Sequence, residues 1–159
     1  MAFGEMTRLG NSDSYVNSDY IPYVDRTRSQ RPNRISQQTV AVSGNNILDS
    51  LKHEMREMIE PFLNTVELTK EQVLFQEEDD LDVIYFPVTG VISEFRSLED
   101  GRMVEIAVTG NEGAIGLSSV LSGSHIAHNY IQVSQAGKAF SISVSKLERL
   151  LQSDERLRY

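Results

Sequence analysis

The chain has 159 residues, 40% of them apolar and 24% charged, which is enough for one globular domain with one core and too few for two ordinary domains. Its 15 basic and 23 acidic side chains leave a formal net charge of -8, which excludes the bulk phosphate-neutralising surface that nucleic-acid binding requires. Cysteine is absent, so disulfide staples, thiolate zinc sites, Cys-ligated iron–sulfur clusters and Cys nucleophiles are excluded, and a cytoplasmic location is the default expectation.

The N-terminal segment carries Glu5, Arg8 and Asp13 where a secretory signal needs an unbroken apolar stretch, and no run reaches the length of a membrane span. No membrane partner is expected. Residues 1–45 are rich in Ser, Asn, Gln and Arg and keep neither a strand nor a helix period, so they read as a disordered N-terminal arm. The arm holds five Arg (Arg8, Arg26, Arg28, Arg31, Arg34) and four acids, whereas residues 46–159 carry ten basic and nineteen acidic groups. The folded part is therefore the acidic part. The Arg cluster reads as solvated charge in preference to a contact for RNA or an acidic partner.

A helical period begins at Asn46, read as an N-cap with Asp49 reaching back to it, and Ile47, Leu48, Leu51, Met55, Met58 and Ile59 follow along one face. Pro61 fits the first turn of a new helix and marks a corner. From Val66 the pattern changes to short β-rich runs at 66–68, 72–75, 83–86, 91–96, 103–108, 130–134 and 138–142. Turn residues separate them at Thr89-Gly90, Asp100-Gly101, 110–113, 122–124 and Ala136-Gly137. Gly101 supplies the positive φ that a right-twisted hairpin ribbon needs. A final helix is expected after Ser145 as cap, with Leu147, Leu150 and Leu151 facing inward. The product is an α+β domain over 46–159, an antiparallel β-roll of jelly-roll or double-stranded β-helix type with flanking helices.

Three runs carry a family resemblance: 63–76 (LNTVELTKEQVLFQ), 84–93 (IYFPVTGVIS) and 105–116 (EIAVTGNEGAIG). In order and spacing they resemble the effector-sensing, cyclic-nucleotide-binding domain of the Crp/Fnr family of bacterial transcription regulators, over residues 46–159. The resemblance implies a non-enzymatic sensor, homodimeric in a longer form, that meets DNA only through a helix-turn-helix absent from this chain. Two histories fit: a fragment of a longer regulator, or a stand-alone module acting through a protein partner.

Cyclic-nucleotide-binding members of the family use a Gly-Glu-Leu step for the ribose hydroxyl and, about a dozen residues later, an Arg followed by Ser or Thr for the cyclic phosphate. The matching positions here are Gly116-Leu117 and Ala127-His128, and no arginine occurs between Arg102 and Arg149. The candidate ligand residues implied by the resemblance are Gly113, Ile115, Gly116, Leu117, Ala127 and His128, in a cassette whose charged contacts are lost. That loss points to a small-molecule effector other than cyclic AMP or cyclic GMP, or to none.

The competing chemistries are thinner. A cupin-like metalloenzyme, also a β-roll, needs about three His and a carboxylate converging inside the barrel; His125 and His128 lie three apart in one loop and His53 is far off on a helix, so no metal or cofactor is expected. No serine stands in a Gly-x-Ser-x-Gly elbow for hydrolase chemistry. The acidic run 76–82 lacks the central Gly and distal Glu of a calcium loop and reads as a solvated turn.

Overall fold

The strand period of two and the punctuation between runs produce two four-stranded antiparallel sheets. The computed structural model describes residues 34–35 and 44–153. Its strands are β1 (Arg34–Ile35), β2 (Asn64–Leu68), β3 (Val73–Phe75), β4 (Val83–Pro87), β5 (Val91–Ser97), β6 (Met103–Thr109), β7 (Tyr130–Gln135) and β8 (Gly137–Ser143). One sheet has the order β1-β2-β8-β4 and the other β3-β7-β5-β6, so chain neighbours cross between sheets as a jelly-roll requires. The seven expected strands are present within two residues at every end. The expected arm, residues 1–45, lies outside the described residues except for Gly44, Asn45 and the two-residue strand β1, which pairs with β2.

The helices are α1 (Asn46–Ser50), α2 (His53–Ile59), α3 (Leu117–Leu121) and α4 (Val144–Ser153), with a 3-10 turn at Glu60–Phe62 built on Pro61. Two helix starts differ from the sequence expectation. The first cap is Asn45: its Oδ1 accepts from the N–H groups of Ile47 and Leu48 at 3.1 and 3.3 Å, while its Nδ2 donates to Pro87 O and Gly113 O at 2.9 Å each. Tertiary partners choose between the two adjacent asparagines, and Asp49 answers by accepting from Gly44 N at 2.9 Å. The last helix begins at Val144, ahead of Ser145, because the Val144 N–H is satisfied by Asp82 O at 2.9 Å and needs no side-chain cap.

Two apolar layers result. Between the sheets lie Val66, Leu68, Tyr85 and Ala139 from one side and Leu74, Phe75, Ile92, Ile131 and Val133 from the other. Phe75 and Tyr85 meet edge to face with ring centroids 6.0 Å apart. On the far side of the first sheet, Ile84, Phe86, Phe140 and Ile142 pack against Leu48, Ile59, Val120, Val144 and Leu147 from the helices. Strands β4 and β8 are thus buried on both faces, which is why they read as continuous apolar runs. Full burial of each such Ile, Leu or Phe contributes about 1.5–3 kcal/mol.

The turns at Thr89-Gly90 and Ala136-Gly137 have a shared cause. A Cβ added at Gly137 would lie 2.3 Å from the Gly90 nitrogen, so two backbones pass where no side chain fits. At the other end, Gly101 sits at φ 82° in the hairpin between β5 and β6, as expected for Asp100-Gly101.

Candidate functional site

The candidate residues lie on two segments that close the roll between β6 and β7. After β6 the chain turns through 110–113, where Glu112 Oε1 accepts from Gly110 N at 2.8 Å. That backbone hydrogen bond holds the Glu112 carboxyl below its ordinary value, and it turns the acid back onto its own loop. Gly113 follows with its carbonyl held by Asn45. Ile115 is fully buried in the inter-sheet core and exchanges backbone hydrogen bonds with Tyr85, Ile115 N to Tyr85 O at 2.8 Å and the reverse at 3.2 Å.

Gly116 stands at φ 84°, where a side chain is strained, and starts α3. Leu117 then turns to the helix-side layer, away from the roll interior. Beside it, between α1, α3, α4 and the outer face of β4, is an apolar cavity of about 120 Å³ lined by Leu48, Ile59, Phe86, Leu117, Leu147 and Leu150, among others. It is separate from the space between the sheets.

The second segment is zipped to the acidic run. Ala127 N donates to Asp79 O and Ala127 O accepts from Glu78 N, both at 2.8 Å, and Leu81 N donates to His125 O at 2.7 Å. The acidic run is the turn its composition suggested, closed by Asp79 Oδ2 on Gln76 N at 2.8 Å with Glu78 at φ 69°. Ala127 itself is 2% exposed, with its methyl in the inter-sheet core.

Of the six candidates, Ile115 and Ala127 share that core, Gly113 and Gly116 form the turn above it, and Leu117 and His128 point elsewhere. His128 is exposed, its Nε2 3.1 Å from Ser124 Oγ, while His125 Nε2 is 2.7 Å from Glu148 Oε1 on α4. His53 pairs with Glu57 on α2 at 3.3 Å. The three histidines thus face different partners, and among the described residues no three His, Asp or Glu side chains gather in a metal-holding group.

Two residues that sequence reasoning passed over meet beside this core. Asn129 stands in the bend just before β7, between the core residues Ala127 and Ile131. Glu94 on β5 is the cross-strand partner of Ile131 on one side and of Ala107 on the other, so it shares their face. Asn129 Nδ2 donates to Glu94 Oε2 at 2.9 Å.

Comparison with known proteins agrees with this architecture. Residues 65–154 match the family profile of the cyclic nucleotide-binding domain. No curated protein sequence matches significantly. Among solved structures, the N-terminal domain of a transcriptional regulator from Streptomyces coelicolor A3(2) is similar at 23% identity and a TM-score of 0.59, over 70% of this chain and 78% of that one. The sensor domain of the transcriptional regulator DNR from Pseudomonas aeruginosa is similar at 18% identity and a TM-score of 0.56, over 66% and 75%. The Thermus thermophilus catabolite activator protein gives 14% identity and a TM-score of 0.58, and this chain spans 50% of its length. With the family profile covering more than half the residues and the two-sheet roll in place, the chain belongs to the cyclic nucleotide-binding domain family.

Proposed function

We propose that residues 46–159 are the effector-sensing domain of a Crp/Fnr-like transcription regulator in which the usual cyclic-nucleotide contacts are lost. The observation that carries this reading is Ala127. At the position matching the phosphate-pairing arginine there is a methyl group, 2% exposed in the core, whose backbone N–H and C=O are both occupied by the acidic turn. A cyclic phosphate entering the roll would shed its hydration and receive no guanidinium in exchange. Leaving a buried anion without its partner costs about 3–5 kcal/mol, which takes a micromolar site to about millimolar. The ribose position fares no better, because Gly116-Leu117 presents no carboxylate and Glu112 is committed to Gly110.

Regulation, in preference to catalysis, is supported by the family match, and the serine–histidine contact on the candidate segment, Ser124 Oγ to His128 Nε2 at 3.1 Å, lies exposed at the surface. The net charge of -8 disfavours DNA contact by these residues themselves, so in this reading any such contact is made by a helix-turn-helix domain. No helix among the described residues is long and apolar enough to cross a membrane. Calorimetry near neutral pH with cyclic AMP and cyclic GMP at about 100 micromolar should show no saturable binding. A dissociation constant of about 1–10 micromolar for either would overturn the reading.

A further inference from the structure

The cavity on the helix side of the roll, about 120 Å³ between α1, α3, α4 and the outer face of β4, is apolar on every side. Every described side chain that lines it is Leu, Ile or Phe. Leu48, Phe86 and Leu147 form a buried floor, Leu117 and Leu150 are half-buried walls, and Leu121 stands exposed at the rim. A small molecule therefore has a way in beside α3.

An apolar cavity of about 150 Å³ with such a lining stays dry and takes benzene, because water finds no partner there while a hydrocarbon regains dispersion contacts. At about 120 Å³ the space here admits one ring or a few carbons and is too small for a nucleotide or a helix. Its walls also come from separate parts of the chain. Leu117 belongs to the segment matching the cyclic-nucleotide cassette, directly after Gly116 at φ 84°. Leu147 and Leu150 belong to α4, whose Glu148 meets His125 at 2.7 Å. We infer that this cavity binds a small uncharged apolar molecule, which would touch α3 and α4 at once. The inference rests on the sensor reading above and names its effector class. Such a ligand needs no charged contact, in agreement with a cassette that has neither the arginine nor the glutamate.

Benzene and pyridine are matched probes, rings of equal size of which the second carries a nitrogen acceptor that no lining side chain can pair. Calorimetry of the 159-residue chain near neutral pH should give saturable benzene binding with a dissociation constant of about 0.1–1 millimolar. Pyridine should bind at least about tenfold more weakly, because a buried acceptor loses its bond to water. Leu117→Phe fills the cavity from its wall and should weaken benzene at least about tenfold. Leu150→Phe serves the same purpose if Leu117→Phe lowers the urea midpoint. Val108→Ala on the other sheet should leave the affinity unchanged. Nuclear Overhauser contacts should join benzene to the methyls of Leu48 and Leu147. Absent benzene binding, equal binding of pyridine, affinity unmoved by the filling variants or lowered by Val108→Ala, or contacts to Ile92 and Val133 between the sheets would overturn the inference. A dimer in sedimentation that Leu121→Ser dissociates would overturn it too, since the rim would then be covered by a second copy. Micromolar cyclic AMP affinity would instead overturn the sensor reading, so the two failures are distinct.

Discussion

The two sheets of the roll are built from similar sequence patterns and meet very different surroundings. The sheet containing β4 and β8 is covered on one face by its partner sheet and on the other by helices, and Ile84, Phe86, Phe140 and Ile142 are all 5% exposed or less. Among the described residues the sheet ending in β6 has no such second cover: Val104, Ile106 and Val108 on that strand are 44%, 48% and 54% exposed. Cohesion is therefore concentrated on the helix side. The other sheet carries the exposed apolar side chains of β6 and more polar groups, Glu94 and Ser93 among its strands.

Paired substitutions break this comparison most visibly. Phe86→Ala should cost about 3–5 kcal/mol in urea denaturation, the transfer of a buried ring plus the cavity left between β4 and the helices. Val108→Ala on β6 should stay within about 0.5 kcal/mol, because its side chain is already half in water. Equal losses would show that β6 is covered by something the two-sheet description omits.

Asn45→Ala should follow, at about 3 kcal/mol. It removes the cap of α1 and strips the carbonyls of Pro87 and Gly113 of a donor in one step. Asn46→Ala, one residue away and exposed, should change stability little, and a reversal of these two effects would return the cap to the position suggested by local pattern.

A smaller change than at Phe86 or Asn45 is expected at Tyr130 on the open sheet. It is 8% exposed, stacks edge to face on Phe95 at 6.2 Å, and its hydroxyl is buried with no hydrogen-bond partner. Burial raises its pKa by disfavouring the phenolate. The contribution is therefore present below the ordinary tyrosine value near pH ~10 and is lost as pH rises through the higher folded value. Tyr130→Phe should be neutral or stabilising by up to about 1 kcal/mol near neutral pH, and should lose less stability than the parent in alkali. A destabilised Tyr130→Phe protein would mean that the hydroxyl has a partner.

Much of the fold was legible because alternation and turn residues are local signals. The hairpin at Asp100-Gly101 and the doubly buried β4 and β8 could be read from periods and runs alone. The cap could not, since Asn45 and Asn46 offer the same side chain and the choice is made by carbonyls 42 and 68 residues away. For the same reason the start of α4 was set by Asp82 O, which no reading of Ser145 would show. In the candidate segments, the lack of any arginine between Arg102 and Arg149 is plain from the sequence. The Glu94–Asn129 pair is not, because it joins residues 35 apart through a cross-strand register that includes bulges in β5.

Amide hydrogen exchange over residues 44–153 tests both the division between the helix-covered and the open sheet and the proposed loss of the cyclic-nucleotide contacts. Slowest exchange is expected in β4 and β8 and fast exchange at the outer edge of β6, and the proposed function predicts no peptide changing when cyclic AMP is added at about 100 micromolar. Equal protection of β6 and β8, or new protection at 113–117 and 127–129 on adding the nucleotide, would contradict it.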